Sequence, residues 1–420
     1  MKNKHRTHPS RSKFCVLRQL CNWIPTHLVA QLARAHGVVA KARTYSPWSH
    51  VVTLLYAQLT HAIGLNDVCD ALRLHSGPLS SVRGATAPSR NALSHANKER
   101  NADMAEQLFW KVFEHLQQLK PGFAQGRRFR LARRFKRVIH VVDATVIQLV
   151  ASCMDWAKHR RRKAAAKLHL RLDLNSFLPR FVIVGSAREV DHQRMLEMCA
   201  GIGAGEIVIF DKAYTVFAHL FALDQRGVFW VSRARENFKY KTLRKLPRSK
   251  NRRILQDELV VLTIAHTLEG YPQPMRRVVA RVPVDDQEME MVFLTNNLQW
   301  SAGTVTDLYR CRWQVEVFFK QIKQTLQLAD FLGHSANAVR WQVWTALLVH
   351  VLLRFVSWVQ NWSHSFTRLF TLLRGTLWQH WDVGKLLQLY GTAAGSFRYL
   401  GQPEQAYLPH LLPTCGTASS

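Results

Sequence analysis

The chain has 420 residues, 47% of them apolar, and a formal charge of +30 from 58 Lys and Arg against 28 Asp and Glu. That length predicts two or three domains. So large a positive excess repels itself in a folded state unless a polyanion offsets it, which makes DNA or RNA the natural partner. Charge alone names no function, because a ribosome-bound or membrane-surface protein shares this balance. No run of about 18 uncharged apolar residues occurs. The longest candidate, 343–359, is interrupted by His350 and Arg354, so no membrane span is expected. The N-terminus lacks the apolar stretch of a signal peptide. Seven scattered cysteines without a Cys-x-x-Cys pair give neither a disulfide framework nor a zinc site, and a reducing cytosol is the expected setting.

Residues 1–14 read as a basic, disordered arm. Helical periodicity then runs to about residue 119. Stretches 16–35 and 48–63 read as core helices, 66–74 and 89–100 as shorter ones, and 103–119 as a further helix. Gly77-Pro78 and Gly84 lie in a loop between the two short helices, and Ser89 fits an N-cap. The pair can form a helix-turn-helix, with Ser89, Arg90, Asn91, Ser94, His95 and Lys98 toward a DNA groove. The loop is long for that motif, so a plain helical domain is the equal alternative. Pro121-Gly122 marks a boundary, which gives an all-helical N-terminal, DNA-binding domain over 15–122. The run 127–137 is densely basic, with Arg127, Arg128, Arg130, Arg133 and Arg134. Such runs are usually solvated faces. This one abuts a strand that carries an acid, which favours phosphate contact.

From residue 138 the pattern changes to strands at 138–149, 168–173, 181–184, 206–210 and 227–231, with helices at 191–199 and 215–223. Strands that meander and then alternate with helices make an α/β core with a mixed sheet, its first part over 137–232. Segments 238–246, 258–265, 276–284 and 290–294 make 233–300 an all-β insertion. The core resumes over 301–365 with helices 304–328 and 337–362, and 366–420 is a C-terminal region.

Asp143 lies inside the apolar strand Val138-Ile-His-Val-Val-Asp-Ala-Thr-Val, where an unpaired carboxylate costs several kcal/mol. Asp211 ends the strand Glu206-Ile-Val-Ile-Phe, at the carboxyl edge where α/β sheets place chemistry. Taken alone, each Asp also fits a cap or turn residue. Tyr309, Arg312, Glu316, Lys320 and Lys323 fall within an arc of about 80° on a helix. Leu308, Val315, Phe318, Phe319, Ile322 and Leu326 take the other side. The bland alternative is a stripe of i,i+4 salt bridges. Three carboxylates on separate elements suit two Mg²⁺ ions, because hard divalent ions prefer oxygen ligands and a pair of them supports in-line displacement at phosphorus.

These blocks resemble the DDE transposases of bacterial insertion sequences, in the family numbered four. Val141-Val-Asp143-Ala-Thr145 is similar to the first-Asp block and Ile209-Phe-Asp211-Lys-Ala-Tyr214 to the second, which usually reads Asp-x-Gly-Tyr or Phe. Tyr309, Arg312, Glu316 and Lys323 fit the family signature Y-(2)-R-(3)-E-(6)-K at every position. The stretch after Ser46-Pro-Trp-Ser-His is similar to an N-terminal domain of one branch. The resemblance covers about residues 14–360. It implies a ribonuclease-H-like core with a β-strand insertion between Asp211 and Glu316, catalysis by Asp143, Asp211 and Glu316 with Mg²⁺ (Mn²⁺ as substitute), and phosphate contacts by Tyr309, Arg312 and Lys323. It also implies a Trp that holds a flipped base, with Trp300 the candidate, Trp230 the runner-up and a core role the alternative for either. The implied partners are double-stranded DNA, as terminal inverted repeats and target, and a second copy in the DNA complex, in bacterial cytoplasm at the nucleoid. A domesticated, inactive DNA-binding protein and a different ribonuclease-H-like nuclease are the competing readings.

Overall fold

Strand β1, Ile139–Leu149, is an interior strand of a ten-stranded mixed sheet. The computed structural model describes residues 9–38, 45–125, 135, 137–149, 153, 158–160, 163–186, 191–247, 249–284, 287–326, 328 and 331–390. On one side β1 pairs antiparallel with β3 (Lys163–Asp173), which pairs with β4 (Leu178–Ser186) and with the short β2 (Lys158–Arg160). On the other side it runs parallel to β5 (Ile207–Phe210), and β5 runs parallel to β6 (Phe229–Arg233). Three antiparallel strands followed by two parallel ones is the ribonuclease-H-like order that the family resemblance implies.

The insertion does not stand apart. Strands β7 (Tyr240–Lys245), β8 (Ile254–Leu262), β9 (Met275–Val284) and β10 (Gln287–Thr295) are antiparallel, and β10 pairs with β6, so they lengthen the core sheet. The insertion also contains a helix, Ala265–Gly270, and is therefore not all β. Strand β7 is the outer edge, with Lys241, Arg244 and Lys245 exposed, charges that discourage pairing with another chain.

Among the described residues, eight helices precede the sheet: α1 (Val16–Cys21), α2 (Leu28–Ala35), α3 (Pro47–Thr60), α4 (Leu65–Leu74), α5 (Ser76–Ser80), α6 (Arg90–Glu99), α7 (Asp103–Leu119) and α8 (Gly122–Gln125). The stretch 16–35 is two helices rather than one, because Pro25 lacks the N–H to continue the first. Helix α5 forms where Gly77-Pro78 suggested a loop. Pro78 lies in its first turn, where no intrahelical N–H is needed. Ser46 and Ser89 cap α3 and α6, accepting from the N–H groups of Ser49 and Ala92 at 3.0 and 3.2 Å.

Helices α9 (Met195–Met198) and α10 (Phe217–Gln225) lie between the core strands, and Ala265–Gly270 is α11. Segment 191–199, expected as one helix, is a 3-10 turn followed by α9. After the sheet come α12 (Ala302–Arg310), α13 (Trp313–Lys320), a π turn (Gln321–Thr325), α14 (Ala336–Val359), α15 (Phe366–Arg374) and α16 (Val383–Tyr390).

Helix α14 is mostly apolar and is buried along most of its length, as a central core helix must be. Helices α3, α6 and α7 pack on it, and so do β4 and α15. One apolar core therefore joins the N-terminal helices to the ten-stranded sheet, across the boundary expected at Pro121-Gly122. By length and hydropathy α14 matches a membrane span, yet 89% of its apolar window is buried inside the protein. Residues 9–14 are not a free arm: Ser12 donates its backbone N–H to the carbonyl of His380 at 2.8 Å and Arg11 bridges Trp381. Residues 1–8 and 391–420 lie outside the described residues.

Alternation along the central strands separates two cores. Ile139, Val141, Ile207 and Ile209 face the shared core, while Val142, Val208 and Phe210 face a second one under α9 and α10. Two residues beyond Val141 and Ile209, Asp143 and Asp211 fall on the first face. Val305 and Leu308 of α12 and Val315 and Phe318 of α13 cover that face.

Candidate active site

The parallel register sets Val142 opposite Phe210. The next residues, Asp143 and Asp211, are therefore neighbours where β5 stops and β1 runs on. The Asp143 backbone stays in the ladder opposite Leu170 of β3, which fixes the position of its Cα. Burial pushes that carboxyl up to about 6, and Arg312 works against the shift. Its Oδ1 accepts the N–H of Ala144 at 2.8 Å.

The third carboxylate comes from the helical segment above. Arg312 Nη1 donates to Asp143 Oδ2 at 2.9 Å, and Arg312 Nη2 donates to Glu316 Oε1 at 2.8 Å. Tyr309 Oη donates to Asp211 Oδ1 at 2.9 Å. Tyr309 is buried, its ring 4.9 Å from that of Phe293 in β10, and burial raises its hydroxyl pKa. Burial opposes the charge on Arg312, but Tyr309, Asp143 and Glu316 hold it charged.

The helix expected over 304–328 is broken. Cys311, Arg312 and Val315 donate their N–H groups to the carbonyls three residues back, at 3.0, 2.9 and 3.0 Å, a tighter turn than an α-helix makes. Tyr309, Arg312 and Glu316 stay together across this junction. The rest of the stripe separates. Lys320 is exposed, and the π turn carries Lys323 to β1, where its Nζ donates to the carbonyl of Val146 at 2.6 Å. Burial lowers the pKa of the Lys323 ammonium.

Trp300 is half-buried against Phe229 and Phe135, at 5.3 and 6.2 Å between ring centroids. Trp230 is fully buried beside Tyr271, so no base reaches it in the folded chain. Sequence reasoning missed Trp313, which is 57% exposed directly after Arg312. In α13 it stands three residues before Glu316, the spacing of neighbours on one helix face. Arg90 and Lys98 are exposed on α6 together with Ser89, Asn91, Ser94 and His95, while Leu93, Ala96 and Asn97 are buried. Arg127, Arg128, Arg130, Arg133 and Arg134 lie outside the described residues. Arg137 donates to the carbonyl of Gly205 at 2.6 Å and lies over the ring of Phe229. Ala213 stands in a 3-10 turn and has no left-handed backbone, so the usual Gly is not required.

Three carboxylates offer the oxygen-only donor set that hard divalent ions prefer. Among the described residues, however, no three of His, Cys, Asp and Glu stand together as a metal-holding group. The Arg312 guanidinium is the cation that lies between Asp143 and Glu316.

The three carboxylates lie on a ribonuclease-H-like sheet and face one Tyr–Arg pair. Residues 134–352, more than half of the chain, match the transposase DDE domain, and the chain belongs to that family. It is a DDE transposase that cleaves DNA and transfers strands. Residues 12–82 also match a domain of unknown function. A Sinorhizobium fredii protein that carries the name transposase y4zB is 28% identical over 305 residues, 71% of this chain and 80% of that protein. Transposase InsG of insertion sequence element IS4 from Escherichia coli is 24% identical over 45% of this chain and 43% of its own length. A cryo-EM structure of a piggyBac transposase synaptic complex with hairpin DNA aligns at a TM-score of 0.42 and 11% identity, over 94% of this chain and 84% of that one.

Proposed function

We propose that Asp143, Asp211 and Glu316 are the catalytic, metal-holding carboxylates, and that the enzyme excises and inserts an insertion sequence of the family numbered four. It binds the terminal inverted repeats, nicks the ends and transfers the strands, as a homodimer on DNA in the bacterial cytoplasm. The observation that carries this reading is the meeting of three carboxylates, from β1, the end of β5 and α13, at one Tyr309–Arg312 pair. A salt-bridge stripe on one helix would not reach two strands of the sheet. When bound, two Mg²⁺ ions, or Mn²⁺ in their place, supply activation of the attacking oxygen and stabilisation of the leaving one.

The chain's own groups do the rest. Arg312 and Tyr309 hold a phosphate at the scissile position, Lys320 and Lys323 hold the strand beside it, and Trp300 or the exposed Trp313 stacks on an unpaired base. The exposed face of α6, with Arg90 and Lys98, binds the repeat within the helical segment 15–122, and the basic stretch 127–137 contacts the backbone.

The test uses the DNA ends that flank the coding region. Asp143→Asn and Glu316→Gln keep shape and remove charge, so cleavage should fall by about a hundredfold or more. End binding should persist, because it rests on the basic surface. Near-normal cleavage by either variant excludes the assignment.

A further inference from the structure

We propose that Arg312 is a lock on the carboxylate site: in the DNA-free chain its guanidinium keeps a divalent ion out until a DNA phosphate draws it away. This rests on Asp143, Asp211 and Glu316 being the metal-holding set.

The two arms of the guanidinium take two different carboxylates, Asp143 at 2.9 Å and Glu316 at 2.8 Å. The third, Asp211, is taken by the Tyr309 hydroxyl. An ion entering between Asp143 and Glu316 meets a positive charge already there, in a site where the Arg312 side chain is only 18% exposed and water screens little. The ion and the guanidinium cannot both be held, so one displaces the other.

Two further features make Arg312 displaceable. It sits at the junction of α12 and α13, where the backbone hydrogen bonding is already irregular. Its Nε is buried with no hydrogen-bond partner among the described residues, so the present pose leaves one donor unused. A phosphate diester is the acceptor that matches a guanidinium fork and offers oxygens for the unused donor. Arrival of DNA therefore frees Asp143 and Glu316, and the site takes its ions only with substrate present. An enzyme that cuts phosphodiesters gains from this order, because the uncommitted protein carries no loaded centre.

The test is Mn²⁺ binding to the full chain without DNA, read by electron paramagnetic resonance rather than by activity. Wild type, Arg312→Gln and Arg312→Ala are compared, each with and without Asp143→Asn, after circular dichroism shows which are folded. Arg312→Gln keeps hydrogen-bonding capacity and bulk, and serves if the smaller variant fails to fold. The expected result is Mn²⁺ binding about 10- to 100-fold tighter than wild type, with the gain abolished by Asp143→Asn. Equal, Asp143-dependent binding in wild type and Arg312→Gln overturns the lock and leaves the metal-holding role of the carboxylates standing. Absence of any Asp143-dependent binding in every chain overturns both.

Discussion

Tyr309 donates its hydroxyl to Asp211 at 2.9 Å, a bond between residues 98 positions apart. The hydroxyl therefore belongs to the site as much as the ring does. Tyr309→Phe keeps the packing on Phe293 and removes one bond to a charged acceptor. We expect end cleavage to drop about tenfold, with stability falling by no more than the roughly 1.5–3 kcal/mol that such a bond contributes. Full activity would make the bond incidental.

The Arg276–Asp257 pair tests whether the insertion supports the site. Both side chains are under a tenth exposed, and they meet through two bonds of 2.8 and 2.7 Å. Arg276 also donates to the carbonyls of Leu298 and Trp300, in the connection that leads to α12. Asp257→Asn leaves a buried guanidinium short of its counter-charge, so stability to denaturant should fall by about 3 kcal/mol. A loss under about 1 kcal/mol would show that water reaches the pair.

His50 gives the fold an acid sensitivity of known sign. Burial holds its imidazole down to about 3 from the usual 6.5, with its Nε2 2.9 Å from Asn97 Oδ1. Below pH 6.5 the unfolded chain takes up this proton and the folded chain does not. The unfolded state then binds more protons, so stability falls as pH drops from about 6.5 toward 3. His50→Gln should flatten the plot of unfolding free energy against pH in that window. Identical slopes in the two proteins would mean that the ring is not held neutral.

The basic outer edge of the sheet predicts a salt effect. If Arg244 on β7 contacts phosphate, Arg244→Ala should lower the slope of log affinity against log salt by about one unit. An unchanged slope makes that edge a solvated face that only prevents strand pairing.

The candidate site is legible in the sequence wherever local pattern dictates the placement of its residues. Asp143 and Asp211 stood out because each interrupts or ends an apolar strand, and Tyr309, Arg312 and Glu316 because helical spacing stacks them. Helix α7 was legible from end to end, since its buried Met104, Leu108, Phe109, Val112 and Leu116 follow one period. What depends on distant partners was not legible. Nothing local says that β10 pairs with β6, that Trp230 is enclosed while Trp313 is open, or that Lys323 turns to a carbonyl of β1. The break after Arg310 depends on i−3 bonds, which composition does not mark.

Helix α14 also fixes the order in which this protein can come into being. Val52, Leu55 and Leu59 of α3 and Phe109 and Val112 of α7 close on a helix that the ribosome makes only after the whole sheet. Until residue 359 has emerged, the early helices and the face that carries Asp143 lack their common lining. A frameshift or stop codon upstream of α14 therefore leaves the apolar faces of α3 and α7 without their lining. The shortened chain keeps its apolar faces open and goes to proteolysis.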